Sequence, residues 1–498
     1  VDGTDRPRDP VVAEPARLTG SARGRLVHSL ALWVGVGTIG AVGMVVSASA
    51  IGAIPRPRGN QWWFTVPMGT GIGSHLGFYA SVGLLVAGWA GVGYHAYRGR
   101  LSVRMSWLIL ALWGIPFFLG EPLFSRDLYS YIAQGQLARN GLNPYVDAPS
   151  ALGPGNVLWS VAKVWRHTAS PYGPLFVSLS HVAVTVAGWS MVVQILVFRA
   201  LELTGVALMM VSLPVLARRL GNDPGLALWL AVLSPLALFS CITSGHNDAL
   251  MIGLMLAGVA LGTGGWFRWG IALCALGATI KLPAAAGIIF LVADACTRFD
   301  GIRRVRMVAE SALITVLVVV GVTYGSGLGW TWLGPTALKV PTQLRVLITP
   351  LVSVGSSVYG ILHAAGVAVS KSTTISVVQT LGALVAIGVI VWMVFHIRGQ
   401  GAVRPLGVAL LLFVLLSPTV WPWYLLWGLA VLAATSAQRS RALAVVAAFG
   451  MLVVGAGGTP MVNGGDYWVI TVLLVAGVIW FIAGAYWRTA IEGPVHAS

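Results

Sequence analysis

The chain has 498 residues, of which 57% are hydrophobic and 9% charged. A soluble domain carries about 25% charged residues, so this composition excludes a soluble multidomain enzyme and, for most of the length, disorder; it is that of an integral membrane protein. The 31 Lys and Arg against 15 Asp and Glu give a net charge of +16, but these basic residues sit between apolar runs rather than on a polar domain, so no nucleic-acid partner is expected.

Residues 1–24 are polar and rich in Pro, Arg and Asp, and read as a flexible cytoplasmic tail. The apolar run 26–54 is too long for a signal-peptide core of about 7–15 residues and reads as a first membrane span. A span needs about 20 mostly apolar residues. On that measure, further candidates are 76–97, 104–120, 191–217, 224–243, 247–265, 268–282, 283–297, 308–326, 374–397, 403–418, 421–436, 442–457 and 467–487. The sequence therefore predicts an all-α polytopic protein of about fourteen spans.

Positive charge sets the orientation. With the N-terminus inside, the clusters at Arg98 and Arg100, Arg218 and Arg219, Arg303 to Arg306, Arg398 and Arg404, Arg439 and Arg441, and Arg488 all fall on the cytoplasmic side; Arg56 and Arg58 are the exception. Both termini, including the tail 491–498, are then cytoplasmic. The same count puts the stretches 121–190 and 327–373 and the turn at His246 on the outer face. Loops this long are usually functional or disordered. Leu128, Ile132 and Leu137 recur at helical spacing, so 121–190 is expected to form amphipathic helices on the outer membrane face, with 173–188 dipping into the protein. Cys241, Cys274 and Cys296 lie in apolar runs without CxxC spacing and read as buried thiols.

The densest outer polar cluster runs from Ser125 to Gln136. On a helix, Asp127, Tyr131 and Gln134 share one face, and a carboxylate there suits general-base work on a sugar hydroxyl. The same residues also read as helix-start chemistry, with Ser125 as N-cap and Asp127 in the first turn. Asn143-Pro144-Tyr145 and Ser170-Pro171-Tyr172-Gly173-Pro174 are turns by composition. Ser244-Gly245-His246-Asn247-Asp248 suits either a ligand site or a helix cap. Lys281, within Thr279-Ile280-Lys281-Leu282-Pro283, needs an anion or a snorkelling route. Arg199 and Glu202 are spaced to pair on adjacent turns. Trp421-Pro422-Trp423-Tyr424, and likewise Trp330 and Trp332, fit an interfacial aromatic belt or a stacking platform for a sugar ring. P-loop, HExxH, GxSxG and Asp-x-Asp motifs are absent from the sequence, and Gly69-x-Gly71-x-Gly73 does not fit a dinucleotide fingerprint.

Taken in order, Asp127, QGQLARNGLNPY at 134–145, SPYGPL at 170–175, SGHNDAL at 244–250, IKLP at 280–283 and SPTVWPWYLLW at 417–427 resemble membrane glycosyltransferases of the GT-C class. Within that class they are most similar to the actinobacterial polyprenol-phosphomannose-dependent α-(1→6)-mannosyltransferases of lipomannan and lipoarabinomannan assembly. The resemblance implies a single GT-C transmembrane domain over 25–490 with an outer active site in the plasma membrane. It also implies a polyprenyl-phosphate-mannose donor, a mannan glycolipid acceptor and inversion at the anomeric carbon. Asp127 would be the base; Lys281, His246 and Arg126 would meet the donor phosphate. Tyr131, Gln134, Asn143, Tyr145, Tyr172, Asn247, Asp248, Trp421, Trp423 and Tyr424 would line the sugar and acceptor subsites. Many GT-C enzymes carry two adjacent acids in the first loop, whereas here Arg126 precedes a single Asp. A monophosphate leaving group does not demand a divalent ion, so no metal and no other cofactor is expected. A GT-C transferase for arabinofuranose or glucose remains an alternative. A lipid-linked-sugar flippase is a second one, although it would show paired repeats with broken helices that the sequence lacks.

Overall fold

The computed structural model describes residues 20–53, 71–334, 349–397, 401–435, 440–450 and 454. The span expected at 467–487, the tail at 491–498 and most of the tail at 1–24 lie outside the described residues, as do Arg56 and Arg58.

Every regular element described is helical. The first three are α1 (Gly20–Ile51), α2 (Ile72–Tyr97) and α3 (Val103–Leu119), followed in the long loop by α4 (Asp127–Arg139), the short α5 (Asn156–Ser160) and α6 (Pro174–Ala187). Next come α7 (Met191–Arg219), α8 (Pro224–Ala231) and α9 (Pro235–Ala237), the last running into a π-helical turn over Leu238–Thr243. The hairpin of α10 (Asp248–Thr263) and α11 (Phe267–Ala278) leads to α12 (Ala285–Cys296) and α13 (Gly301–Gly325). The remainder are α14 (Pro350–Ala364), α15 (Lys371–Phe395), α16 (Val403–Leu415), α17 (Leu425–Leu432) and α18 (Ser440–Phe449).

Five of these helices are long and apolar enough to cross a bilayer, or six if one bent pair is counted as a single span; seven more are apolar but shorter. The chain is thus a multi-pass helical membrane protein. The stretch 224–243, expected as one span, is broken: Pro235 has no N–H to continue the helix, Ser234 caps a new start by accepting from Ala237 N–H, and the two pieces meet at 49°.

Small residues let the helices approach closely, as membrane bundles require. A Cβ on Gly205 would run into the backbone of Ala249 and Leu250, and one on Gly253 into Gly205. That crossing seats α7 directly under the turn at 244–248. Hydrophobic side chains from α1 to α3, α7 to α12 and α16 to α18 form one continuous core.

The long loop differs from expectation. Between Leu128 and Gly135 every residue of α4 is buried, so it is no amphipathic helix on a membrane surface. Its Gly135 lies against the Ser180 carbonyl of α6, and its last turn sends the Arg139 guanidinium to the Val184 carbonyl. The middle of α4 therefore has no solvent or lipid face to offer; Asp127 at its start and Gln136, Ala138 and Arg139 near its end are half-buried.

Candidate active site

The site begins where α3 ends. Phe124, at the close of the 120–126 turn, has φ +64, and it is the one non-glycine residue with positive φ among the described residues. A bulky residue in that region is strained by about 1–3 kcal/mol and persists only where its surroundings impose it. Here its ring is stacked on Phe239 at 4.7 Å and lies 5.9 Å from Phe78. The chain then turns into α4, with Asp127 as the first helical residue. Ser125 does not occupy the N-cap position, which belongs to Arg126; Ser125 Oγ instead accepts the Asp127 N–H at 3.1 Å.

Across the gap, the π-helical turn of 238–243 delivers His246. Its Nδ1 stands 3.3 Å from Asp127 Oδ2, with the imidazole fully buried and the carboxylate 14% exposed. The contact does not count as a hydrogen bond, and neither imidazole nitrogen has a hydrogen-bond partner among the described residues. Behind it, Trp423 stacks on the imidazole with ring centres 3.9 Å apart and on Trp421 at 5.0 Å. The sequence expectation of Trp423 as a free sugar platform is therefore corrected: its ring is committed to His246 and Trp421, and it is 4% exposed. Trp421 is half-buried and keeps more of its surface open.

Two further expectations change. Lys281 neither snorkels nor offers a free ammonium: its Nζ meets both Asp248 oxygens, at 2.9 and 3.0 Å. Aromatic faces surround it, Tyr424 at 4.4 Å, Trp427 at 5.2 Å and Tyr172 at 6.0 Å. The Asp248 carboxylate also accepts from Trp427 Nε1 at 2.5 Å, so it is occupied as a counter-ion and is not a sugar ligand. This cage joins α10, the turn between α11 and α12, and α17. Gly173 N–H and Leu175 N–H donate to the Ile280 and Thr279 carbonyls, which adds the start of α6 to it.

Removing one partner of a buried pair leaves a charge without compensation and costs about 3–5 kcal/mol. Lys281→Met should therefore lower the unfolding midpoint sharply, and Asp248→Asn combined with Lys281→Met should recover most of the loss. Strictly additive losses in the thermal melts of the two single variants and the double variant would show that the pair is not coupled.

The expected Arg199–Glu202 pair does not form. The guanidinium of Arg199, fully buried in α7, donates to the carbonyls of Phe118 (2.8 Å), Gly120 (2.6 Å) and Thr243 (2.5 Å). These carbonyls lie at the end of α3 and the end of the π turn, where helix-terminal oxygens favour a cation. Glu202 accepts instead from the Leu250 N–H of α10. Ser244 Oγ donates to the Leu123 carbonyl at 2.7 Å, a second tie between the Asp127 and His246 segments.

The remaining candidates divide by what their polar atoms do. Gln134 accepts from Ser170 Oγ at 3.0 Å, which fixes the SPYGP turn. Tyr131 packs against Tyr172 and Phe176. Asn143 caps its own turn, accepting from Tyr145 N–H, and donates to Thr331 Oγ1. Burial raises the Tyr145 and Tyr172 hydroxyls well above the usual phenol range, so both stay neutral. Asn247 is fully buried at the start of α10, and neither atom of its amide has a partner among the described residues. Arg126 is half-buried beside Asp127 and forms no ion pair among the described residues. Of the described residues, no three His, Cys, Asp or Glu converge on a common metal position. Trp427 and Arg199 acquire their roles only from distant partners; WPWYLLW and the charge in an apolar span were their only signals.

Known proteins match the chain over most of its length. Residues 33–297 match the family described as α-(1→6)-mannopyranosyltransferase, N-terminal domain, and residues 349–486 match the MptB C-terminal domain. α-(1→6)-Mannopyranosyltransferase A of Mycobacterium tuberculosis is 32% identical over 75% of this chain and 73% of its own. A probable α-(1→6)-mannopyranosyltransferase of Mycolicibacterium smegmatis is 31% identical over 83% and 81%. α-(1→6)-Mannopyranosyltransferase B of Corynebacterium glutamicum is 29% identical over 89% and 78%. No solved structure matches.

Proposed function

The chain belongs to the actinobacterial α-(1→6)-mannopyranosyltransferase family, and from that premise we propose that it moves mannose from a polyprenyl-monophosphate donor to the 6-hydroxyl of a mannan glycolipid. The proposal includes a GT-C fold, an active site on the outer face of the plasma membrane and a place in lipomannan and lipoarabinomannan assembly. The observation that carries it is the contact of Asp127 with His246: a reachable carboxylate, backed by a buried imidazole that is itself held by a tryptophan stack.

In this reading the acceptor O6–C1 bond forms as the bond from C1 to the phosphate oxygen breaks, on the opposite face of the sugar. The electron pair leaves with the polyprenyl phosphate, and the O6 proton passes to Asp127. Inversion turns a β-linked donor into an α-linked product. His246 lies against Oδ2 of Asp127, 3.3 Å away, and Oδ1 takes the proton of the hydroxyl. Arg126, half-buried next to Asp127 and without an ion pair among the described residues, takes up charge developing on the leaving phosphate. Lys281, already neutralised by Asp248, contributes by fixing the cage and by a weaker field at the phosphate. The amide of Asn247 and the open surface of Trp421 are the favoured sugar contacts.

The test is an assay of purified protein with polyprenyl-phosphate mannose, glucose and arabinofuranose, using short α-(1→6)-mannosides as acceptors. Mannose alone should be transferred, and NMR should read a new α-linkage at O6. Equal transfer from the glucose or arabinofuranose donor, or a β-linked product, would overturn the proposal. A monophosphate leaving group met by Arg126 also predicts that prior treatment with EDTA leaves the initial rate unchanged; a loss restored by a divalent ion would assign the charge stabilisation to a metal.

A further inference from the structure

The hairpin of α10 and α11 has two ends. One is the turn at Asp248 and Lys281; the other lies about 24 Å away, at 1.5 Å per residue along the 16 residues of α10. At that far end a cavity of about 700 Å³ opens between the last residues of α10 and α12 and the first turns of α11 and α13. Four arginines line it: Arg268, Arg298, Arg303 and Arg306. The carboxylates facing them are few. Glu310 pairs with Arg268 and Asp294 with Arg298, while Asp300 is turned to Arg304 outside the cavity. Arg303 and Arg306 have no ion pair among the described residues. Two like charges one turn apart on α13 repel each other, and they lie in the first turns of a helix, where cations are disfavoured. An anion between them removes both costs.

Two features of the surroundings identify the kind of anion. Trp266 and Trp269 stand at the rim, each 63% exposed, as tryptophans do at the headgroup level of a bilayer. From the cavity along the same side of α13, Leu313 and Leu317 are exposed apolar side chains that offer a path for an acyl chain. The excess of arginine marks this end as cytoplasmic, where the leaflet carries anionic lipid. We propose that this cavity binds the phosphate-bearing headgroup of an anionic phospholipid, with Arg303 and Arg306 meeting the phosphate and α13 guiding the acyl chains. The site is separate from the transfer site and does not depend on the identity of the transferred sugar.

The test uses the whole protein in detergent, titrated with phosphatidylinositol or with phosphatidylcholine of the same acyl chains; native mass spectrometry reads occupancy and a thermal melt reads stabilisation. Phosphatidylinositol should bind saturably and raise the midpoint. R303Q/R306Q should bind it about 30-fold more weakly, from the usual contribution of two arginines near an anionic surface. Arg303 and Arg306 are both exposed, so this variant should fold and keep its transfer activity in detergent. R100Q/R104Q, on exposed arginines outside the cavity, should bind like the parent protein. Equal binding of phosphatidylcholine, or equal loss in both double variants, would overturn the proposal. Inorganic phosphate alone reproducing the full stabilisation would also overturn it, since the site would then be one for a soluble anion.

Discussion

Asp127→Asn should lower kcat by about 10²–10⁴-fold, the usual span of general acid–base contributions, while leaving the affinity for the lipid-linked donor nearly unchanged. The substitution is close to isosteric and keeps the position at the start of α4. What it removes locally is a favourable carboxylate–dipole interaction of about 0.3–1 kcal/mol, so the fold should survive. It also removes the basic carboxylate that the proposed transfer asks of this position. The two effects differ enough in size to be separated. A thermal melt should move by a few degrees at most, while turnover with a short α-(1→6)-mannoside should all but stop. Turnover within a few-fold of the parent protein would take Asp127 out of the mechanism. A large drop in melting temperature would instead assign it to helix capping.

Arg199→Met should be the most damaging change far from the reacting atoms. Arg199 is a positioning residue: its guanidinium spans the end of α3 and the end of the π turn, and so sets the distance between the segments that carry Asp127 and His246. Loss of the side chain leaves three carbonyls without that donor, at about 1–3 kcal/mol for each one left unsatisfied. Against a total stability of about 5–15 kcal/mol, that is enough to unfold much of the protein at 37 °C. Arg199→Lys separates positioning from stability. It keeps the charge, but its single nitrogen cannot occupy the sites of Nη1 and Nη2 at once. It should retain a folded protein with kcat down about tenfold or more, since small misplacements at a reacting centre are costly, and with an unchanged KM for the donor. A folded Arg199→Lys protein with full kcat would show that the clamp serves stability alone.

Much of the architecture was legible locally. The long apolar helices α1, α2, α7, α13 and α15 follow from apolar run length, because a helix in a bilayer satisfies its own backbone and needs only a greasy exterior. The acids in the first turns of α4 and α10 and the turns at Asn143 and Gly173 follow from the residues occupying them, although the side-chain caps expected of Ser125 and Asn247 do not form. The resemblance singled out Asp127, His246 and Lys281 through short stretches whose order was informative. The break at Val232 to Ser234 does not show in hydropathy, which does not register the N–H that Pro235 lacks. The character of α4 is not legible either: Leu128, Ile132 and Leu137 describe one apolar face, and nothing local reveals that the other faces of its middle turns are covered as well.

The pairing of charges was beyond local reading. Arg199 and Glu202 are spaced to meet, yet each finds a better partner on another helix, carbonyl oxygens for one and a backbone N–H for the other. Lys281 and Asp248 are brought together by the return of the α10–α11 hairpin, and the aromatic cage is closed by α17 from far along the chain. The sequence by itself determined a helical, multi-pass membrane protein and the identity of its polar clusters, since both depend on composition and on periodicities of a few residues. The tertiary structure alone decided that Asp127 faces His246, that Trp423 backs the imidazole and that Asp248 is a counter-ion. Those outcomes depend on which helices cross at glycine contacts and on how a buried charge finds compensation, and neither is encoded within a single turn of chain.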